Sequence, residues 1–233
     1  MIIQLYEMTN ADDARICLDL GVEHLGFVVT RDEAARKRRG WTTVETAQKI
    51  FAIITPPARR VVIIPSVDVD EIVSLAKIVR PDILHLSMHP ENFSPAQVAE
   101  VRRRLPGQQI MQAIPVGGPE THDDALRYVR DYEATSDFFL IDTRNATGIG
   151  STGITNDWAT DREIVEMTHV PVILAGGLGP DNVADAIRAV RPYGVDSFTH
   201  TNTSASGPEY HKDRERSRRF VEAARQAAKE LGL

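Results

Sequence analysis

Eight times along this chain a short β-branched run is followed by a helix-forming stretch, one unit about every 29 residues over 233. The extended runs cover 2–6, 24–29, 61–64, 83–86, 109–114, 138–141, 172–174 and 195–198. The helical patterns between and after them cover 11–20, 44–54, 69–79, 95–105, 123–133, 161–167, 181–190 and 214–231. Such alternation requires right-handed crossovers and a parallel sheet. Eight units is the number that closes a (β/α)₈ barrel, and the runs are apolar throughout, as strands covered on both faces must be. The expectation is an α/β chain forming one (β/α)₈ barrel domain over residues 1–233. A doubly wound open sheet is the alternative, but it needs only five or six strands.

Composition narrows the function. Lys and Arg number 27 against 33 Asp and Glu, a net charge of −6, which disfavours nucleic acid as the main partner. No apolar run approaches the ~18 residues of a membrane span, and the N-terminus lacks the pattern of a secretory signal. A single cysteine, Cys17, excludes a disulfide framework and a cysteine metal cluster, so a cytoplasmic setting is expected. No cofactor is implied.

In a barrel, the segments following the strands build the active face. Leu174–Ile187, LAGGLGPDNVADAI, ends a strand in Gly176-Gly177 and starts a helix near Pro180. Glycines there let backbone N–H groups approach an anion such as phosphate, unless they serve only a tight turn. The sixth strand ends in Asp142, a carboxylate placed for acid–base work or for ordering its loop. Tyr6 and Glu7 end the first strand. Alternation would send only one of them into the mouth. His85 and His89 follow the fourth strand, and His200 ends the eighth. They suit proton transfer, or a metal site, although no ligand spacing accompanies them. The cluster Arg36-Lys37-Arg38-Arg39 falls in the second loop, where an Arg can face a carboxylate or phosphate.

Together these stretches resemble the phosphoribosylanthranilate isomerase family over essentially the whole chain. Gly150–Trp158, GSTGITNDW, is similar to the family's GGTG-x-x-FDW pattern. Pro171–Asp196 reads as nearly continuous family sequence. Met8–Val29 resembles the L-T-x-x-x-D-A…G-A-D-x-x-G-F-V-F stretch, and HKDRERSRRFVEAAR resembles K-D-x-x-K-I-x-x-F-I. The resemblance implies Asp142 as catalytic acid and Arg39 as the contact for the anthranilate end. It also implies substrate contacts at Gly153, Gly176, Gly177, Thr199, Thr201 and Asn202.

Three positions depart from the family. The family opens K-x-C-G and uses its Cys as general base. Here the run is Gln4-Leu5-Tyr6-Glu7, with Tyr6 in the cysteine's place, while Cys17 falls inside a helix. V-Q-L-H-G becomes Leu84-His85-Leu86-Ser87-Met88, and V-S-S-G-V-E becomes Ser197-Phe198-Thr199-His200-Thr201-Asn202. Tyr, with an ordinary pKa of about 10, is a poor base at neutral pH. The expectation is therefore an isomerase of a small phosphorylated sugar derivative, working by Amadori-type proton transfer and diverged in substrate. Asp142 would pair with Tyr6, Glu7, His85 or His200. The alternatives are a non-catalytic barrel binding a phosphorylated metabolite, or a metal-assisted lyase or epimerase using His85, His89 and His200. A monomer or homodimer is expected, with no nucleic-acid or membrane partner.

Overall fold

A computed structural model describes residues 1–32, 40–145, 148–149, 157–203 and 211–233; of 144–145 and 148–149 only the backbone is described. Eight parallel strands form its centre: β1 (Ile2–Leu5), β2 (His24–Thr30), β4 (Arg59–Ile63), β5 (Ile83–Leu86), β6 (Gln109–Val116), β7 (Phe138–Asn145), β9 (Val172–Leu174) and β10 (Gly194–Ser197). They run in the order β1-β10-β9-β7-β6-β5-β4-β2, and β1 also pairs with β2. That last pairing, Gln4 with His24 and Leu5 with Leu25, closes the barrel and removes the open-sheet alternative.

Eight helices pack around it: α1 (Ala11–Asp19), α2 (Val44–Phe51), α3 (Val69–Val79), α4 (Pro95–Arg104), α5 (His122–Tyr132), α6 (Trp158–Met167), α7 (Val183–Val190) and α8 (Arg214–Leu231). Their starts follow local chemistry. Asn10 accepts from the Asp12 and Asp13 N–H groups to cap α1. Ser94 and Gln97 form a capping box at α4, with Pro95 in its first turn. Helix α6 begins three residues before the expected 161, because Asp157 caps it. Among the described helices, none is long and apolar enough to cross a membrane.

Two short strands were not expected. β3 (Trp41–Thr43) lies beside β2, in a stretch read as loop, and β8 (Gly148–Ile149) pairs antiparallel with the end of β7. β3 pairs with the C-terminal end of β2, Val28–Thr30, and sets Trp41 opposite Val28.

The period-2 alternation of the strands divides the apolar side chains into two cores. One lies between sheet and helices, and includes Leu25, Phe27, Ile72, Phe139 and Phe220. The other fills the barrel with Val61, Ile83, Met111, Phe138, Leu140 and Ile173. The inward series ends toward the mouth in polar groups: Tyr6 beyond β1, His85 on β5, Asp142 on β7 and Asp196 on β10. Parity thus places chemistry at the C-terminal rim of the strands.

Candidate active site

A cavity of about 240 Å³ opens at this rim. Tyr6, Glu7, His85, Ser87, Asp142 and Asp196 supply its polar groups, and Val28, Trp41, Ile63, Pro65 and Leu140 are among its apolar walls. A smaller cleft of about 30 Å³ adjoins it, sharing Asp142, Asp196 and Phe198 and reaching Gly176, Gly177, Thr199 and His200.

Both Tyr6 and Glu7 line the cavity, contrary to the expectation that only one would. Alternation governs residues within a strand, and β1 ends at Leu5. The Tyr6 ring lies on Gly26 of β2, where an added Cβ would stand 2.4 Å from its carbons. Tyr6 reaches across the mouth to β5, its Oη 2.7 Å from His85 Nδ1 and the rings edge-on at 5.8 Å. The Glu7 carboxylate lies against Gly40, whose added Cβ would meet Oε2 at 1.2 Å. Gly40 has φ +79°, a conformation that favours glycine, and a side chain there would displace the Glu7 carboxylate. Behind this corner the buried Lys212 donates to the Tyr6 carbonyl and, at 3.2 Å, to Thr201 Oγ1.

Burial sets the protonation states. Asp142 opens on the cavity, but protein surrounds its carboxyl. Burial first, then the charge of Asp196, pushes it up to about 8. Its Oδ1 accepts from the Thr143 N–H at 2.8 Å. Burial likewise raises Asp196 to about 7, although Gln4 and Lys212 favour its charged form. Tyr6 is raised well above its ordinary value by burial and by the surrounding carboxylates. His85 is pushed down to about 3 by burial and is therefore neutral.

At the smaller cleft, Gly176 and Gly177 take φ +90° and +61°, a conformation that favours glycine. Among the described residues, neither N–H has an acceptor. Asn182 holds the following turn, accepting from Gly179 N–H at 2.8 Å and donating to the Gly177 carbonyl at 3.0 Å. Such a cradle suits an anion.

The remaining expected residues divide. Thr199 lines the cleft. Thr201 and Asn202 do not reach it. Both are buried and donate to the Phe198 carbonyl, from Oγ1 and Nδ2 respectively, so they hold the turn. His200 stands at the cleft and faces an outer cavity with Arg216 and Arg219, away from Tyr6 and Glu7. His85, His89 and His200 are not brought together. His89 Nε2 pairs with Glu120 at 2.8 Å, and among the described residues no group of three His, Cys, Asp or Glu is placed to hold a metal ion. Arg36–Arg39 and Gly153 lie outside the described residues. Cys17 is buried on the inner face of α1, its thiol pushed up to about 12, and lines neither cavity.

Two charged residues at or behind the cavity escaped the sequence reading. Asp196 stands inside a buried strand, and a carboxylate at an inward position is itself the signal. Lys212 lies in the HKD segment, 206 residues from the Tyr6 carbonyl it binds, and no local pattern relates them.

The comparisons agree with the geometry. The family model described as N-(5′-phosphoribosyl)anthranilate (PRA) isomerase matches residues 11–199. N-(5′-phosphoribosyl)anthranilate isomerase of Methanothrix thermoacetophila is 33% identical over 223 residues, covering 96% of this chain and 97% of the relative. The Rhodopseudomonas palustris enzyme is 40% identical over 172 residues, covering 72% of each. A phosphoribosyl anthranilate isomerase crystallised with reduced 1-(o-carboxyphenylamino)-1-deoxyribulose 5-phosphate superposes with TM-score 0.74 at 22% identity. It covers 97% of this chain and all of that one. On the family model and these relatives, the chain belongs to the N-(5′-phosphoribosyl)anthranilate isomerase family.

Proposed function

We infer that this protein isomerises N-(5′-phosphoribosyl)anthranilate by an Amadori rearrangement in the rim cavity. The observation that carries this reading is the continuity of the site. An enclosed acid, Asp142, stands between a cavity with an apolar wall and an adjoining cleft with a glycine cradle, lining both. Trp41, Val28, Ile63 and Pro65 suit an aromatic ring, and Gly176 and Gly177 suit a phosphate.

The reaction needs an acid for the ribose ring oxygen and a base for the C2′ proton, on opposite sides of the sugar. With a pKa of about 8, Asp142 carries a proton at neutral pH and serves as the acid. Tyr6 cannot replace the family's cysteine as base, because burial keeps its proton on. His85 is neutral, has little proton affinity, and is engaged with Tyr6. His200 belongs to the cleft. Glu7 takes the role of base. It extends from the end of β1, separated from β7 by β10 and β9 in the sheet, so it approaches the sugar from another side than Asp142. Glu7 and the buried Lys212 lie close enough for their charges to interact.

Purified enzyme supplied with N-(5′-phosphoribosyl)anthranilate tests the reading through the anthranilate chromophore. Turnover lost in Asp142→Asn is the expected result. So is growth of a tryptophan auxotroph lacking the isomerase that depends on Asp142. An inactive wild-type protein that binds neither the substrate nor the reduced analogue would overturn it.

A further inference from the structure

Tyr6 and His85 both depart from the family patterns, and the structure shows that the two departures touch. The contact leaves one polar atom of the pair over. His85 Nε2 is buried and has no partner among the described residues, on a side chain that lines the cavity. A buried polar group without a partner costs free energy, and at a cavity wall a ligand can supply the missing bond.

The contact also sets which nitrogen carries the proton. A phenol is a stronger donor than a neutral imidazole, and the Tyr6 hydroxyl keeps its proton. Tyr6 therefore donates to Nδ1, which must be the bare nitrogen, and the hydrogen belongs on Nε2. We propose that Tyr6 and His85 act as one unit, in which Tyr6 positions the imidazole and His85 Nε2–H donates a hydrogen bond to an oxygen of the substrate. The acceptor is a hydroxyl or carbonyl oxygen of the opened sugar chain, because His85 shares the cavity with Asp142 rather than the cleft with the glycines. Tyr6 thus exchanges the cysteine's proton-removing role for a binding one. The proposal rests on the reading of this cavity as the substrate site.

Two measurements test it on the whole protein. Nitrogen NMR of ¹⁵N-histidine-labelled protein should show His85 as the Nε2–H tautomer, and Tyr6→Phe should give a mixture of tautomers. A merely structural role for Tyr6 would leave the tautomer unchanged. Binding of the reduced analogue should weaken about tenfold in His85→Leu, as expected for one lost hydrogen bond, and less in His85→Gln, which keeps an N–H donor. Tyr6→Phe should weaken binding a few-fold alone and not at all in the His85→Leu background. An Nδ1–H tautomer, unchanged binding in His85→Leu, or the same Tyr6→Phe loss in both backgrounds would overturn the proposal. If the wild-type protein bound no analogue, the isomerase reading would fall, and the nitrogen spectrum alone would decide the tautomer assignment.

Discussion

Replacing Asp142 with Asn should destroy the activity and stabilise the protein. Asn keeps the shape and can still accept the Thr143 N–H bond through its own oxygen. It cannot ionise and cannot give a proton. Loss of a positioned acid lowers the rate by about 10²–10⁴-fold. The stability effect follows from the raised pKa. Unfolded, the Asp142 carboxyl loses its proton near pH 3.9, whereas in the folded chain it holds it to about 8. Across that window the folded state binds the extra proton, so stability is fully present below the unfolded value and falls as pH rises to about 8. At pH 7 about three pKa units of this difference are realised, or roughly 4 kcal/mol at 1.36 kcal/mol each. Asp196 shares the repulsion, so one substitution recovers on the order of 2–4 kcal/mol. For a chain of this size that raises Tm by roughly 5–10 °C. Urea unfolding of both proteins at pH 5, 7 and 9 would measure it. The gap between variant and wild type should widen from pH 5 to pH 9. A gap independent of pH would refute the argument, because it would mean that the carboxyl titrates alike in both states.

Further outcomes follow from the same geometry. Glu7→Gln should lower kcat by about 10²–10⁴-fold while retaining affinity for the reduced analogue, measured by steady-state kinetics and calorimetry; a KM effect alone would remove Glu7 as base. Activity should decline as pH rises through about 8, as Asp142 loses its proton, and a pH–rate profile whose basic limb persists unchanged in Asp196→Asn would contradict the coupling of the two carboxyls. Gly177→Ala, at φ +61°, should raise KM for the phosphorylated substrate and cost about 1–2 kcal/mol, read from kinetics and thermal unfolding. Lys212→Met should destabilise by about 1–3 kcal/mol, since the buried Tyr6 carbonyl loses its donor, and denaturant unfolding would show it.

The architecture was legible because its causes are local. Short apolar β-branched runs, the helix-forming stretches between them and the strict order of units depend on neighbours in the chain. Strands that close on themselves need no further instruction once there are eight. Asp142 and the Gly176-Gly177 cradle were legible for the same reason, as each follows directly on an apolar run, although β7 itself continues past Asp142 to Asn145. β3 was hidden because three residues carry too little periodicity to distinguish them from a loop. The resemblance implies ligand contacts at Thr201 and Asn202 from their place in the eighth-strand motif. Only the folded turn shows those side chains bonded to the Phe198 carbonyl.

By itself, then, the sequence determined a barrel of eight strand–helix units, the rim on which chemistry would gather, and the absence of a cysteine from the first strand's mouth. Tertiary structure alone decided which groups surround the position the cysteine would hold. Tyr6 meets His85, which is 79 residues away, and Lys212 meets the Tyr6 carbonyl from 206 residues away. Asp196 comes close enough to Asp142 for their charges to interact. Those meetings arise from closing the sheet, which brings inward-facing side chains from separated strands around one low-dielectric space. Protonation there depends on the company a residue keeps, which no stretch of sequence contains.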